Sequence, residues 1–186
     1  ASDAEADCIP EGQHVVVTGP GKVAAACAVT DELAWNRGDL TPISLIINIG
    51  LAGSLTPAHP LNSIVIPDSV WAWDFDAAKL STIGFPTGDR LHLAGGSSGI
   101  TIATGDRFVE GNGLKKSLEG RASIVDMECY AVAYAGRSFG IPTMAIKVIS
   151  DLADENATEH ILDLDACLSA LREACAGLST ATVAVD

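Results

Sequence analysis

Hydrophobic residues along the chain form short continuous runs, separated by segments in which apolar residues recur at helical spacing. The continuous runs are rich in valine and isoleucine and end at glycine, proline or acidic residues, as is typical of buried strands. Strands are predicted at residues 14–19, 44–50, 62–76, 99–106, 122–128 and 143–150. Helices are predicted at residues 22–38, 114–119, 129–139 and 160–183.

The alternation of strands and helices predicts an α/β fold with three layers, in which helices cover both faces of a mixed or mostly parallel central sheet. The length of 186 residues suits one domain, spanning residues 1–186. A sheet of this kind normally begins with a strand, whereas this chain begins with the acidic stretch ASDAEAD. We therefore expect a first strand to be missing from the sequence.

The balance of charge narrows the class of partner. The chain carries 11 basic and 24 acidic residues, which gives a net charge of -13. Because nucleic-acid binding needs a basic face, this balance favours a small-molecule partner. No apolar run approaches the roughly 18 to 20 residues that span a membrane. The acidic start also lacks the apolar core of a signal peptide, so a soluble cytoplasmic protein is expected.

Metal-binding patterns are weak. The five cysteines and four histidines are scattered, without a CxxC pair or a zinc spacing. The cysteines are interpreted as small core residues in a reducing compartment. Asp74 and Asp76 form a DxD pair, but hard cations need further oxygen ligands that their neighbours do not supply. We expect no metal and no cofactor, and a structural or interface role for this pair.

Two glycine-rich turns follow predicted strands. TGPGKVA at 18–24 precedes a helix, where backbone N–H groups can bind an anion. It lacks the GxxxxGK[ST] spacing of a Walker loop, so ligand contact and a simple tight turn both remain open. NIGLAG at 48–53 places glycines where the backbone can approach a ligand closely.

Three other motifs place polar or aromatic side chains at the ends of predicted strands. ATGDRFVEG presents Phe108, which either stacks on a flat heterocycle or packs in the core. VDMECYAVA places Glu128 in the first turn of a helix, where it either caps the helix or binds a ligand. VISDLAD ends the last strand on Asp151, which is either a helix cap or a ligand group at the sheet edge.

The order of these motifs resembles the purine nucleoside phosphorylase/nucleosidase superfamily and, within it, the 5'-methylthioadenosine/S-adenosylhomocysteine nucleosidases. The matching blocks are GKVAAA, IINIGLAG, the DxD strand, ATGDRF, VDMECYAVA and VISDLAD, and the resemblance extends over residues 1–175. The DME and SDxAD blocks, in that order and spacing, are its specific part.

The resemblance implies a role for three carboxyl groups. Asp151, in the SDxAD block, is expected to be the general acid that protonates N7 of a leaving adenine. Glu128, in the DME block, is expected to bind the ribose 2' and 3' hydroxyls and to stabilise the oxocarbenium-like sugar. Glu5, in ASDAEAD, matches the glutamate that activates the attacking water.

The resemblance also implies substrate contacts. Met127 is expected beside the ribose, Phe108 against the purine face, and the backbone of Val109 at the base edge. The remaining expected contacts are Asn48, Gly50, Ala52, Gly53 and Ser150. Phosphorylases of the superfamily carry arginine and serine around this glycine, where the chain has Asn48 and Leu51, so water is the expected acceptor.

The expected activity is hydrolysis of the N-glycosidic bond of a 5'-modified adenine nucleoside. The alternatives are a futalosine hydrolase, a broader purine nucleosidase, a phosphorylase with an unusual phosphate site, and a nucleoside-binding protein that has lost efficient chemistry. The resemblance further implies a homodimer that brings aromatic side chains together. VWAWDFD at 70–76 is the predicted interface strand.

Overall fold

The computed structural model describes residues 2–38, 42–84, 90–162 and 164–180. The strands are β1 (Ile46–Ser54), β2 (Ile64–Val65), β3 (Pro67–Ala72), β4 (Leu91–His92), β5 (Ser97–Thr104), β6 (Ile124–Asp126) and β7 (Thr143–Asp151). The helices are α1 (Asp3–Ala6), α2 (Lys22–Trp35), α3 (Ala77–Thr82), α4 (Asn112–Leu118), α5 (Cys129–Phe139), α6 (Ala157–Ile161) and α7 (Asp165–Ala176). Short 3-10 turns, Asn36–Gly38 and Gly177–Thr180, extend α2 and α7.

The strands form one mixed sheet in the order β2-β7-β1-β6-β5-β3-β4. β1 runs parallel to β7, and β3, β5 and β6 run parallel to one another. The two groups meet where Gly53 and Ser54 of β1 pair antiparallel with β6. Only Ile66 separates β2 from β3 in the chain, although other strands lie between them in the sheet. The sheet must therefore curl. Its parallel and antiparallel pairs confirm the predicted α/β fold with a mixed central sheet.

Helices cover both faces of this sheet. On one face, Cys129 and Ala133 of α5 share an apolar cluster with strand residues such as Ile102, and α2 packs against α5 from outside. On the other face, Leu171 of α7 packs in a cluster with Val148 of β7. Because both faces of β7 are covered, its sequence is a continuous apolar run rather than an alternating one.

The prediction of a strand at residues 14–19 is wrong. The segment has no assigned secondary structure, and it pairs with no strand in the part of the chain that the structure describes. Val15, Val16 and Val17 are each more than a third exposed. The facing edge of β1 is separated from the segment by a groove of about 500 Å³, which we call the β1 groove. A β-branched run favours a strand only where a neighbouring strand accepts its backbone hydrogen bonds.

Two further predicted boundaries are wrong. The single strand at 62–76 is two strands, since β2 pairs with β7 whereas β3 pairs with β5. Pro67, which has no N–H to donate to a ladder, stands at this change of partner. The single helix at 160–183 is instead α6 and α7, and its residues 181–183 lie outside the described residues. The other predicted strands and helices are confirmed with shifts at their ends.

Candidate active site

Two glycines of β1 leave room for two carboxylates. A methyl group built on Gly50 would lie 2.7 Å from Oε1 of Glu5, and one built on Gly53 would lie 2.6 Å from Oδ1 of Asp151. Either distance is too short for a real side chain. The NIGLAG motif therefore allows two acidic side chains to lie directly against the end of a buried strand.

Glu5 is held on α1 by the turn in which it lies. Its Oε2 accepts hydrogen bonds from the backbone N–H of Ser2 at 2.7 Å and from the Ser2 hydroxyl at 2.8 Å, which closes a capping box. Its Oε1 accepts from the backbone N–H of Leu51 at 3.1 Å. Burial raises the pKa of the Glu5 carboxyl, and the hydrogen bonds from Ser2 oppose that rise. Donors on both of its oxygens favour the carboxylate form, as a general base requires.

Asp151 ends β7 in a different environment. Its Oδ1 accepts from the N–H of Ala153 at 2.8 Å, and its Oδ2 accepts from the Ser150 hydroxyl at 2.9 Å. The side chain lies in the interior, with the residue only 2% exposed. Burial raises the pKa of the Asp151 carboxyl above its ordinary value despite these two hydrogen bonds. A carboxyl group that retains its proton more readily is suited to act as an acid.

Glu128 does not cap the helix it precedes. Its Oε1 accepts from the backbone N–H of Gly21 at 2.8 Å, and its side chain makes no capping bond to α5. The amides of that first turn are satisfied elsewhere, since Cys129 N–H donates to Asp126 and Tyr130 N–H donates to the Thr104 hydroxyl. Burial raises the pKa of Glu128. Of the two predicted roles for Glu128, helix capping and ligand binding, these contacts favour ligand binding.

Lys147 is a component that the sequence analysis missed. It lies midway along β7, opposite Gly50, and its Nζ pairs with Oδ2 of Asp126 at 2.9 Å with both side chains almost fully buried. Burial disfavours the ammonium form, but the Asp126 carboxylate more than compensates and raises the pKa of Lys147. Asp126 also accepts from the Thr104 hydroxyl at 2.6 Å. The available signal was a single lysine within the apolar run TMAIKVIS, since a buried charge needs a partner.

Gly50 brings this cation toward the catalytic candidates. The position of a methyl group on Gly50 is 3.8 Å from Nζ of Lys147 as well as 2.7 Å from Glu5. The Lys147 ammonium and the Glu5 carboxylate therefore approach the same point above β1. The Lys147 charge also acts on Glu128 and opposes the rise in the pKa of that carboxyl. The structure thus brings Glu5, Lys147, Asp126 and Glu128 into one charged cluster beside Gly50 of β1.

Comparison with known proteins identifies the family. A family model described as the phosphorylase superfamily matches residues 11–93 and 98–184, which is most of the chain. The chain belongs to the phosphorylase superfamily.

Solved structures of superfamily members share the fold. Futalosine hydrolase of Helicobacter pylori is 26% identical, with a TM-score of 0.69 over 87% of this chain and 77% of that chain. A ligand complex of 5'-methylthioadenosine/S-adenosylhomocysteine nucleosidase from the same organism is 25% identical, with a TM-score of 0.70 over 87% and 78%. The corresponding nucleosidase of Streptococcus pneumoniae, solved with a transition-state inhibitor, is 23% identical, with a TM-score of 0.71 over 87% and 76%, and supports the fold alone. The two Helicobacter pylori structures support a glycosidase-type enzyme.

The other residues predicted to contact the substrate differ in how far they are exposed. Phe108 is 42% exposed, whereas Val109 packs in a buried cluster and Met127 is half-buried. Ser150 contacts Asp151 as described, and its hydroxyl also approaches the carbonyl oxygen of Ala52 at 3.4 Å. These assignments stay predictions.

The side chain of Asn48 differs from the carboxylates in its hydrogen bonding. It faces the β1 groove, and within the described residues its buried Oδ1 has no hydrogen-bond partner. It precedes Gly50 by two positions and so shares its face of β1. Its role as a substrate contact stays a prediction.

The two acids of the DxD pair separate. Asp74 contacts Lys22, whereas Asp76 caps α3 by accepting from the N–H of Lys79 at 3.0 Å. Across the described residues, no group of three or more histidine, cysteine, aspartate or glutamate side chains is arranged to hold a metal ion. Over the same residues, no helix is long and apolar enough to cross a membrane. The predicted interface at 70–76 and the homodimer stay predictions.

Proposed function

We propose that the protein is an N-ribohydrolase that cleaves an adenine nucleoside modified at its 5' position, of the 5'-methylthioadenosine/S-adenosylhomocysteine type. The observation that carries this proposal is the opposed environment of two carboxyl groups that lie against β1. Burial raises the pKa of Asp151, whereas hydrogen bonds from Ser2 and Leu51 favour the ionised form of Glu5. Such a pair supplies an acid and a base at one pH.

In the proposed reaction, the bond from C1' of the ribose to N9 of adenine breaks, and its electron pair leaves with the base. Asp151 donates its proton to N7, so that adenine leaves as a neutral molecule. Water forms the new bond to C1' and gives its proton to Glu5. Glu128 accepts hydrogen bonds from the ribose hydroxyls and stabilises the positive charge that develops on the sugar. The products are adenine and the free 5'-modified ribose.

Water is favoured over phosphate as the acceptor by the surroundings of β1. The backbone N–H of Leu51 already donates to the Glu5 carboxylate. A phosphate dianion bound beside this carboxylate would meet a like charge at short range. Lys147, the cation close to this point, is already paired with Asp126. These contacts support a hydrolase.

Product analysis tests the proposal directly. The protein is incubated with 5'-methylthioadenosine, with and without inorganic phosphate, and the products are separated by chromatography. We expect free adenine and free methylthioribose, in amounts that phosphate does not change. A phosphate-dependent sugar 1-phosphate would establish a phosphorylase. Cleavage of futalosine in preference to 5'-methylthioadenosine would favour the second candidate, which the 26% identity to a futalosine hydrolase supports. Release of no base from either would favour a nucleoside-binding protein.

Glu5→Gln is expected to lower turnover by roughly 10²-fold, because an amide cannot accept a proton from water. The amide keeps the size of the side chain and can still accept a hydrogen bond from Leu51. Glu11→Gln, at an exposed glutamate, is the matched control and is expected to leave turnover unchanged. Initial rates of adenine release measure both variants. Turnover of Glu5→Gln equal to that of the control would remove Glu5 from the water-activating role.

Gly53→Ala tests whether the glycine of β1 positions the acid. Its methyl group would lie 2.6 Å from Oδ1 of Asp151, so either the carboxyl group or the strand must move. We expect turnover to fall by roughly 10²-fold, the scale of a displacement of about 1 Å at a catalytic group. Gly113→Ala, where no atom lies within 4 Å of the added methyl group, is the control. Normal turnover of Gly53→Ala would show that the close approach does not matter for catalysis.

A further inference from the structure

Three turns at one edge of the sheet are joined by an ionic network outside the carboxylates of the proposed reaction. The turns are the glycine turn Gly19–Gly21 before α2, the turn after β3 that carries Asp74, and the turn after β5 that carries Asp106. We infer that Asp74 and Asp106, through Lys22, are positioning residues that hold the glycine turn in place and thereby orient Glu128 toward the ribose.

The contacts form a closed ring. The backbone N–H of Lys22 donates to Oδ1 of Asp106 at 2.7 Å, and the backbone N–H of Asp106 donates to Oδ2 of Asp74 at 2.8 Å. The ammonium group of Lys22 contacts Oδ1 of Asp74 and lies 3.4 Å from Oδ2 of Asp106. Each residue therefore contacts the other two. The side chains of Lys22 and Asp74 are only 22% and 18% exposed, so water competes less for this pair than at an open surface.

Lys22 of the ring directly follows Gly21, the residue whose backbone contacts Glu128. The N–H of Gly21 donates to Oε1 of Glu128, and the next N–H along the chain, that of Lys22, donates to Asp106. The two N–H groups belong to adjacent peptide planes that meet at the Cα of Gly21, so holding the second plane restricts the orientations open to the first. Gly21 has a φ of 90°, and a methyl group built on it would lie 3.2 Å from Asp106. A glycine is thus required at the junction of the two contacts.

The segment before the glycine turn, residues 14–18, has no assigned secondary structure and pairs with no strand in the described part of the chain. His14, at its start, contacts Glu32 of α2 at 3.0 Å. On the following side, α2 is anchored on α5 through Ala25, Val29 and Leu33, of which Ala25 lies in its first turn and donates its N–H to the carbonyl oxygen of Gly21 at 3.1 Å. The ring and Glu128 add side-chain contacts to this helical hydrogen bond in fixing the turn.

The orientation of the Glu128 carboxylate matters because the proposed function, on which this inference rests, has it accept hydrogen bonds from the ribose hydroxyls. With Oε1 bound to Gly21, the other oxygen is the one available to a ribose hydroxyl. A displaced glycine turn would release Oε1 and allow the carboxylate to rotate. Binding of a substrate with its 2'-hydroxyl would weaken, whereas a substrate without that hydroxyl would lose little.

The test compares Asp74→Asn with Asp76→Asn, the same change at the other acid of the DxD pair. For each variant, kcat/KM is measured for 5'-methylthioadenosine and for its 2'-deoxy analogue. We expect Asp74→Asn to lower the preference for the ribose substrate by about tenfold, the scale of one charge-assisted hydrogen bond, and Asp76→Asn to leave it unchanged. Lys22→Gln, which removes the cation of the ring, is expected to reproduce the loss and serves if Asp74→Asn folds poorly.

An unchanged preference in Asp74→Asn and Lys22→Gln, or an equal fall for both substrates, would overturn the inference and leave the ring a structural feature only. Failure of the proposed function is seen separately, because the unmodified protein would then release no adenine. In that case the same preference is measured as a ratio of dissociation constants by calorimetry, with and without Asp74→Asn. A ratio for the two nucleosides that does not respond to Asp74→Asn would again overturn the inference.

Discussion

Replacing Asp151 by asparagine is expected to lower the turnover of the nucleoside by roughly 10²-fold or more, the scale of losing a general acid. Asparagine has nearly the same shape and can still accept from the N–H of Ala153. Its amide group has no acidic proton to transfer to the leaving base. The measurement is the rate of adenine release from 5'-methylthioadenosine as a function of pH.

The direction of the pKa shift fixes the pH dependence. Burial raises the pKa of Asp151, so the protonated, active form persists to higher pH than for an exposed aspartate. Activity of the unmodified protein falls as pH rises through that pKa. The residual activity of Asp151→Asn should lack this alkaline decline, because its side chain does not titrate.

The same variant is expected to be at least as stable as the unmodified protein. A carboxyl group whose pKa is raised by folding contributes most below its unfolded pKa, and that contribution is lost as pH rises through the folded pKa. At neutral pH a neutral side chain therefore costs less to bury than the carboxylate. Asp154→Asn, three residues along, is the control and should keep normal turnover. Near-normal turnover of Asp151→Asn, or a large loss of its melting temperature, would contradict the assigned role.

Replacing Lys147 by methionine is expected to have the largest effect on stability. The change leaves the Asp126 carboxylate buried without its cation, a situation that costs about 3–5 kcal/mol of unfolding free energy. Methionine fills a similar volume, so the loss would come from charge rather than from a cavity. Urea denaturation, extrapolated to water, measures it.

A second substitution separates charge from packing. In the double variant Lys147→Met with Asp126→Asn, no buried charge is left unpaired, and much of the lost free energy should return. Lys116→Met, at an exposed lysine of α4, is the control and should change stability little. If the double variant were as unstable as Lys147→Met alone, the ion pair would not be the cause.

The fold was predictable where a local pattern reports burial on both faces. The runs 44–50 and 143–150 correspond to the adjacent strands β1 and β7, and the helix 129–139 has the predicted bounds. Residues 14–19 show where a local pattern is not sufficient to form a strand. Their valines have a strong preference for strands, but a strand also needs a partner, and the identity of the partner is not a local property of the sequence.

The site was predictable only as far as its motifs are contiguous. The structure places Glu5 and Asp151 against β1, and their catalytic roles stay proposals. Lys147 was overlooked because its partner lies on another strand. The ring of Lys22, Asp74 and Asp106 joins residues that are 52 and 32 positions apart, and no spacing rule connects them.

The β1 groove makes the two edges of β1 differ in how firmly their backbone amides are held. Over residues 46–49, β1 is paired with β7 along one edge and also lines the groove. Successive N–H groups of a strand point to opposite sides, so neighbouring amides in this part of β1 point alternately toward β7 and toward the groove. The free energy of local opening therefore changes from residue to residue along one strand. Residues of segment 14–18 line the other side of the groove, directly before the turn that contacts Glu128.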